Sequence, residues 1–257
     1  MDILSPAIAD YLDDLVPPRP AELQRMEAYA KSHGFPIIEP ACGQLCYQIA
    51  RTMGATRIYE LGSGYGYSTA WFAEAVKQNG GGIVHHTVWD QDLSDMAKAH
   101  MQALGYEGLV EYTMGEAVDA FRQVDGPFDI VFMDIDKEGY PTALAEIKRK
   151  LRPGGVLLID NMLWSGRILD HSDDSGATQA IRECTGMLVS DQDWAVSVIP
   201  IRDGLLVATK LTLEKSPPGG GDFLCVQAAP LPPEQARAEQ GKETQSNKDI
   251  LPETQGE

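Results

Sequence analysis

The amino-acid sequence predicts an α/β fold in which helices cover both faces of a doubly wound, mostly parallel sheet. The first reason is a regular alternation of strand-like and helix-like segments between residues 57 and 160. This order is typical of parallel strands joined by right-handed crossovers. The second reason is a turn at 62–66 with glycine at every second position, placed directly between a predicted strand and a predicted helix.

Two helical segments are predicted ahead of this alternation. A short amphipathic segment ends at the proline-rich stretch 17–20, because proline cannot continue a helix. A second helix is predicted over 21–33 and stops at Gly34. We expect this N-terminal part, residues 1–35, to form a lid, a substrate wall or a dimer contact, or simply to pack against the sheet.

The following domain, residues 36–210, is predicted as helices and strands in alternation. Helices are predicted over 41–53, 67–78, 92–104, 116–122, 141–150 and 176–187, and strands over 57–61, 83–89, 109–114, 128–133, 156–160, 195–199 and 205–210. Arg202-Asp203-Gly204, between the last two strands, is typical of a hairpin turn. Residues 211–257 are predicted to be a disordered tail, because they contain too few apolar residues to offset their ordering entropy.

Charge and composition exclude several classes of function. The formal net charge of −17 argues against a nucleic-acid partner, because phosphate binding needs a basic surface. No apolar run reaches the length of a membrane span, about 18 residues, and no signal peptide is recognisable after Met1. The four cysteines have no metal-ligand spacing. We therefore expect a cytoplasmic protein that acts on a small molecule, without a membrane partner.

The glycine turn predicts a binding site for a nucleotide-like cofactor. Glycine lets the backbone approach a ligand, and the helix that follows offers free N–H groups. The spacing G-x-G-x-G differs from the dinucleotide fingerprint G-x-G-x-x-G, and Glu60 precedes Gly62 by two residues. A carboxylate at the strand end would repel a pyrophosphate but suits S-adenosylmethionine, which is cationic at sulfur and has no phosphate. A purely structural glycine turn is the alternative.

Two further strands end in acidic residues. The strand 128–133 is followed by Asp134, and the next strand ends in Asp160 and Asn161. Because the carboxyl ends of neighbouring parallel strands share one edge of a sheet, these oxygen donors form a candidate Mg²⁺ site. Their alternative role is to cap helices. Lys137 would be a general base beside such a metal, or a solvated surface lysine.

Three motifs carry a resemblance to a known family. They are ELGSGYGYS at 60–68, FDIVFMDIDKEGY at 128–140 and LRPGGVLLIDNMLWSG at 151–166. In this order and spacing they resemble the cation-dependent class I O-methyltransferases, which include the catechol and caffeoyl-CoA enzymes, and in particular their small bacterial members. The resemblance extends from about Tyr11 to Lys210. It implies a Rossmann-like sheet of seven strands with the last one antiparallel, and a homodimer.

The resemblance also implies roles for individual residues. Asp134, Asp160 and Asn161 match the family's ligands for Mg²⁺ or for another divalent ion such as Ca²⁺ or Mn²⁺, and Lys137 matches its catalytic base. The positions that match its S-adenosylmethionine contacts are Ile38, Glu60, Gly62, Ser63, Ser68, Glu116, Ala117, Asp134 and Asp136.

The chain departs from the family's pattern at the end of the second strand. The family has an acid there that binds the ribose hydroxyls, and in this sequence that position is Val88. Asp90 has the same side-chain parity and is the expected substitute; otherwise the ribose is held less firmly.

The function predicted from these residues is methyl transfer from S-adenosylmethionine to a hydroxyl of a vicinal-diol phenol, such as a caffeoyl or flavonoid-type compound. Trp164, Tyr140 and the N-terminal helices are the candidates for the acceptor wall, with core packing as the alternative for each. A second hypothesis keeps the cofactor but uses a non-catechol oxygen or a nitrogen as acceptor, with the acids merely structural. A nicotinamide oxidoreductase is disfavoured by the glycine spacing and by Val88. A non-catalytic binding protein is disfavoured by the intact Lys137 and ligand trio.

Overall fold

The structure is a computed structural model that describes residues 3–212, so the predicted tail from residue 213 onward lies outside the described residues. The helices are α1 (Pro6–Asp14), α2 (Ala21–His33), α3 (Glu39–Met53), α4 (Tyr67–Gln78), α5 (Gln91–Leu104), α6 (Ala117–Gln123), α7 (Tyr140–Lys150) and α8 (Gly176–Ser190). The strands are β1 (Arg57–Leu61), β2 (Ile83–Val88), β3 (Val110–Met114), β4 (Phe128–Met133), β5 (Leu151–Ile159), β6 (Trp194–Ile199) and β7 (Leu205–Lys210).

The seven strands form one sheet in the order β3-β2-β1-β4-β5-β7-β6. The pairs between β3 and β5 are parallel, whereas β7 runs antiparallel to both β5 and β6. The predicted fold class is therefore confirmed, including the antiparallel last strand. Most element bounds agree with the prediction to within two residues. The exceptions are α8, which extends three residues further, and β5.

Strand β5 begins five residues earlier than predicted. Its first residue, Leu151, pairs with Phe128 before the register shifts, and the regular pairing resumes from Val156 opposite Ile130. A salt bridge between Arg152 Nε and Asp129 Oδ1, 2.6 Å long, joins the two strands across the irregular part. The Pro-Gly-Gly run at 153–155 suggests a turn, and in the structure it forms the irregular part of β5, where Gly154 has a φ of +70°.

The sheet order creates a switch point at the centre of the molecule. After β1 the chain moves outward on one side to β2 and β3, then returns to form β4 on the other side of β1. In open α/β sheets, ligands bind at the carboxyl ends of the strands beside such a point. The described fold therefore places the predicted cofactor site and the predicted metal ligands at the same edge of the sheet.

Helices pack on both faces of the sheet. Side chains from α2 to α5 form the core on one face, and side chains from α6, α7 and α8 form it on the other. Helix α2 thus packs as part of the core, whereas α1 buries no residue and contacts α3 through Asp13, whose Oδ1 accepts a hydrogen bond from Ala41 N (2.9 Å). Among residues 3–212, no helix is long and apolar enough to cross a membrane. The homodimer and the domain bounds stay predictions.

Candidate active site

The glycine turn after β1 lies against the end of β4. The first glycine, Gly62, has a φ of +81°, and a Cβ at this position would collide with the backbone carbonyl of Asp134. Only glycine tolerates both the left-handed backbone and this close approach. The turn closes with a hydrogen bond from Gly66 N to the Ser63 carbonyl oxygen (2.9 Å) and leads directly into α4.

A cavity of about 440 Å³ opens at this turn, along the carboxyl ends of the parallel strands. Its wall consists of five segments: 35–38 before α3, 62–68 at the glycine turn, 87–93 after β2, 115–117 after β3, and 134–139 after β4. The predicted cofactor residues on this wall are Ile38, Gly62, Ser63, Ser68, Glu116, Ala117, Asp134 and Asp136. The structure therefore brings eight of the ten predicted cofactor residues to one cavity.

Glu60 does not line this cavity, although it was predicted to contact the cofactor. Its side chain is completely buried under the turn, where its Oε2 accepts a hydrogen bond from Thr69 Oγ1 (2.5 Å). The same hydroxyl lies 2.9 Å from His86 Nδ1. Burial raises the pKa of Glu60 to about 7, with the Ser68 and Thr69 hydroxyls opposing the shift. Alternation along a strand places Glu60 against α4, because neighbouring side chains face opposite sides of the sheet.

Asp90 is also absent from the cavity wall. It is the N-cap of α5, and its Oδ1 accepts a hydrogen bond from Leu93 N (3.0 Å). The wall is formed at this point by Val88 and by Trp89, whose side chain is 74% exposed. The carboxylate of Glu116 also caps a helix, α6. Asp90 and Glu116 thus both cap helices, and Glu116 also lies on the cavity wall.

The predicted metal ligands are adjacent to one another at the ends of β4 and β5. Backbone hydrogen bonds run from Asp134 N to the Leu61 carbonyl (2.9 Å) and from Asp160 N to the Met133 carbonyl (3.1 Å). These bonds continue the sheet register past the strand ends, which brings both acids to one side. Burial raises the pKa of Asp160 to about 6, and the nearby Asp134 carboxylate adds to the shift while the Arg202 guanidinium opposes it.

Each of the two carboxylates contacts a side-chain cation. Lys137 Nζ donates to Asp134 Oδ1 (2.9 Å) and to the Ile135 carbonyl oxygen (3.1 Å), and its side chain is largely buried. Arg202 Nη1 donates to Asp160 Oδ2 (2.7 Å), and the Asp160 side chain is 1% exposed. One oxygen of each acid is thus held by a positive charge.

The chemistry of these donors fits a divalent ion. Asp160 Oδ1 is buried without a hydrogen-bond partner among residues 3–212. Asn161 donates its amide NH₂ to Asp203 Oδ2 (3.4 Å), which leaves the amide oxygen for another ligand. Carboxylate and amide oxygens are the ligands that Mg²⁺ prefers. Within the described chain, no group of three or more His, Cys, Asp or Glu side chains is placed to hold a metal, so the candidate set contains two acids and one amide.

The comparisons with known proteins identify the family of this chain. A family model described as O-methyltransferase matches residues 21–211. The chain belongs to the O-methyltransferase family. It is 32% identical over 161 residues to a catechol O-methyltransferase of Niastella koreensis, with 60% of this chain and 72% of the relative covered. It is also 32% identical over 163 residues to a catechol O-methyltransferase of Mycobacterium tuberculosis, with 63% and 69% covered.

Solved structures of O-methyltransferases share the fold. TomG from Streptomyces achromogenes, an O-methyltransferase of tomaymycin synthesis crystallised with S-adenosylmethionine, superposes with a TM-score of 0.73. It is 25% identical, and 80% of this chain and 96% of TomG are covered. The O-methyltransferase of Bacillus cereus, crystallised with S-adenosylhomocysteine, has a TM-score of 0.72 at 24% identity, over 79% and 97% of the chains. The predicted membership of the class I O-methyltransferases is confirmed.

The two aromatic candidates for the acceptor wall of this O-methyltransferase differ in position. Tyr140 is completely buried, and its hydroxyl donates to the Asp160 carbonyl oxygen (3.0 Å), so the core-packing alternative describes it and the acceptor-wall role does not. Trp164 lies at the surface of the site, with its ring centre 5.8 Å from Lys137 Nζ. Its buried Nε1 has no hydrogen-bond partner in the described part of the chain.

Arg202 and Asp203 belong to the site, although the sequence predicted only an ordinary hairpin turn for them. Asp203 Oδ1 accepts a hydrogen bond from Ser165 N (2.5 Å), and backbone bonds link Leu163 N to the Asp203 carbonyl and Met162 N to the Gly204 carbonyl (both 2.9 Å). This turn therefore holds the loop that follows β5. The available signal was topological: a last strand antiparallel to β5 starts beside the end of β5, so the turn before it adjoins Asp160.

Proposed function

We propose that this O-methyltransferase transfers a methyl group from S-adenosylmethionine to a hydroxyl of a small phenol with two vicinal hydroxyls. The observation that carries the proposal is the position of Lys137 beside the strand-end set Asp134, Asp160 and Asn161, at the margin of the cavity. A cofactor in the cavity and an acceptor at this set would meet at Asp134, which belongs to both.

The cofactor half of the proposal is supported by the cavity and by the relatives. A volume of about 440 Å³ is sufficient for a ligand of nucleoside size. Its wall joins the glycine turn, the N-terminal end of α4 and the ends of four parallel strands, and solved members of the family carry S-adenosylmethionine or S-adenosylhomocysteine. The acidic margin suits a cationic sulfonium and would repel the phosphates of a dinucleotide.

The acceptor half follows from the energetics of phenol ionisation. A phenol has a pKa of about 10, so presenting its anion at neutral pH costs about 4 kcal/mol. A divalent ion bound by Asp134, Asp160 and Asn161 would stabilise that anion when present. Lys137 is within reach of an acceptor hydroxyl beside Asp134 and would take its proton. The side chains of Trp164 and Lys137 would orient the ring, and most of the remaining rate gain would come from orientation toward the methyl group.

The experiment that tests this function uses labelled S-adenosylmethionine and two acceptors that differ in one hydroxyl. Caffeic acid carries the vicinal diol, and 4-coumaric acid lacks one of its two hydroxyls. We expect label transfer to caffeic acid and none to 4-coumaric acid. Equal transfer to both acceptors, or transfer to neither with the cofactor bound, would contradict the diol requirement.

The role of Lys137 has a matched control in the same chain. Lys137 and Lys98 each donate to the aspartate three residues earlier at 2.9 Å, but Lys98 lies on the exposed face of α5. Lys137→Met is expected to lower kcat by about 10²-fold or more, the usual contribution of a general base, whereas Lys98→Met leaves it unchanged. Similar kcat values for the two variants would remove Lys137 from the mechanism.

A second candidate function has one observation in its favour. Asp160 already has Arg202 as its counter-ion, so the two acids are partly neutralised without a metal. This arrangement is compatible with a non-catechol oxygen or a nitrogen acceptor. Methyl transfer that is insensitive to a chelator would select this second candidate.

A further inference from the structure

The guanidinium of Arg202 lies at the candidate metal site. Its Nη1 is 2.7 Å from Asp160 Oδ2, and the Arg202 side chain is 19% exposed against 1% for Asp160. Burial alone would lower the pKa of Arg202, but the carboxylates of Asp160, Asp134 and Glu39 outweigh it and raise the pKa. The guanidinium is therefore a permanent positive charge next to the oxygen atoms that would bind a divalent ion.

The backbone holds Arg202 in this position. It has a φ of +50°, in the left-handed region that is unfavourable for residues with a Cβ. Gly204 N closes the turn on the Ile201 carbonyl (2.8 Å), and the bonds of Asp203 and Gly204 to the loop after β5 fix the turn against Asp160. A glycine would adopt this backbone without strain, whereas the arginine adopts it at a conformational cost.

Both carboxylates of the ligand set are already paired with a cation. Asp134 and Asp160 contribute two negative charges, and Lys137 and Arg202, each hydrogen-bonded to one of these acids, contribute two positive charges. Asn161 is neutral. A divalent ion at this set would compete with these cations for the two carboxylates, and it would be repelled by the guanidinium that shares Asp160 with it.

We propose that Arg202 weakens divalent-ion binding at Asp134, Asp160 and Asn161, and so makes this a low-affinity metal site in the absence of acceptor. The inference rests on the metal-assisted function proposed above. It assigns to Arg202 a tuning role that acts through Asp160, without contact to the reacting atoms.

The test is a titration of the acceptor-free protein with Mn²⁺. The electron paramagnetic resonance signal of the free ion measures how much Mn²⁺ stays unbound. Arg202→Gln keeps a hydrogen-bond donor for Asp160 but removes the charge, and is expected to bind Mn²⁺ at least about tenfold more tightly than the wild type. Arg202→Lys keeps the charge and is expected to bind like the wild type. Arg122→Gln, on the exposed surface of α6, loses the same charge far from the ligands and is expected to leave the affinity unchanged.

The origin of the effect is checked by a double variant. Asp160→Asn should abolish Mn²⁺ binding, and Asp160→Asn combined with Arg202→Gln should not restore the gain, because the gain requires the carboxylate that Arg202 occupies. Calorimetry with S-adenosylhomocysteine verifies that each variant is folded. If Arg202→Gln does not fold, Arg202→Gly, which suits the left-handed backbone, replaces it in the same titration.

The outcomes separate this inference from the proposed function. In one outcome the wild type binds Mn²⁺ through Asp160, and the folded Arg202→Gln variant binds it equally or more weakly. That outcome would overturn the role of Arg202 and leave the proposed function intact. Absence of Mn²⁺ binding in the wild type and in every Arg202 variant would overturn the metal-assisted function, and the role of Arg202 with it.

Discussion

The buried carboxyl of Glu60 is expected to make the stability of the folded protein depend on pH. Its Oε2 accepts a hydrogen bond from the Thr69 hydroxyl, and Oε1 is buried without a partner among residues 3–212. Burial raises its pKa from 4.5 to about 7. His86, which shares the Thr69 hydroxyl, stays neutral because burial lowers its pKa to about 3. His86 therefore supplies no positive charge that could stabilise an ionised Glu60.

The sign and size of the effect follow from the two pKa values. Between pH 4.5 and about 7 the folded protein keeps a proton on Glu60 that the unfolded chain has lost. Stability from this group is fully present below pH 4.5 and is lost as the pH rises to about 7. Each pH unit in this window lowers the free energy of unfolding by about 1.4 kcal/mol, so the whole window lowers it by about 3 kcal/mol.

The perturbation is Glu60→Gln, which cannot ionise. Urea denaturation, followed by circular dichroism at several pH values without cofactor, gives the free energy of unfolding of both proteins. The substitution can change the free energy of unfolding by a constant amount at every pH. Beyond that constant, the free energy of unfolding of the variant should gain about 3 kcal/mol relative to the wild type between pH 4.5 and 8. Glu183→Gln, on the exposed face of α8, is the control and should give no pH-dependent difference. Parallel profiles for wild type and Glu60→Gln would refute the buried, protonated carboxyl.

Three further substitutions test the site. Gly62→Ala places a methyl group against the Asp134 carbonyl at a φ of +81° and should cost about 1–3 kcal/mol of stability and weaken S-adenosylhomocysteine binding; unchanged binding and unfolding would contradict the tight turn. Trp89→Ala removes an exposed indole from the cavity wall and should abolish most of the fluorescence quenching by S-adenosylhomocysteine; full quenching would place the ligand elsewhere. Asp203→Ala frees Asn161 and should lower kcat about tenfold with cofactor affinity unchanged; a normal kcat would show that the loop needs no anchor.

The sheet could be predicted because local sequence signals agreed with it. The strands at 57–61, 128–133 and 205–210 have the same bounds in the structure as in the prediction. Each is a β-rich run bounded by turn residues, so propensity and tertiary pairing favour the same state. The start of β5 was not predictable in this way, because the pairing of Leu151 with Phe128 lies ahead of an irregular Pro-Gly-Gly run that locally resembles a turn.

The site was predictable where its residues follow a strand end. Asp134, Asp160 and Asn161 lie at the expected edge because the topology of a parallel sheet fixes their position. Glu60 and Asp90 were also placed beside the cofactor, but a sequence does not show whether a carboxylate faces a cavity, the core or the N-terminus of a helix. Glu60 is buried in the core, and Asp90 caps helix α5.

The place of Arg202 in the site could not be predicted from the sequence for a different reason. Its turn is remote from Asp160 in the sequence, and Arg-Asp-Gly is an ordinary composition for a connection between two strands. Only the antiparallel insertion of β7 beside β5 brings the guanidinium to the carboxylate. A contact of this kind depends on strand order, which residue patterns alone do not specify for the last two strands.

The most direct test of the proposed chemistry is removal and return of the divalent ion during methyl transfer. The protein is assayed with labelled S-adenosylmethionine and caffeic acid, first with Mg²⁺, then with excess EDTA, and finally with Mg²⁺ restored beyond the chelator. We predict transfer in the first assay, loss of transfer in the second and recovery in the third. Undiminished transfer in the presence of EDTA would contradict the proposed mechanism, because the phenolate would then be formed without an ion at Asp134, Asp160 and Asn161.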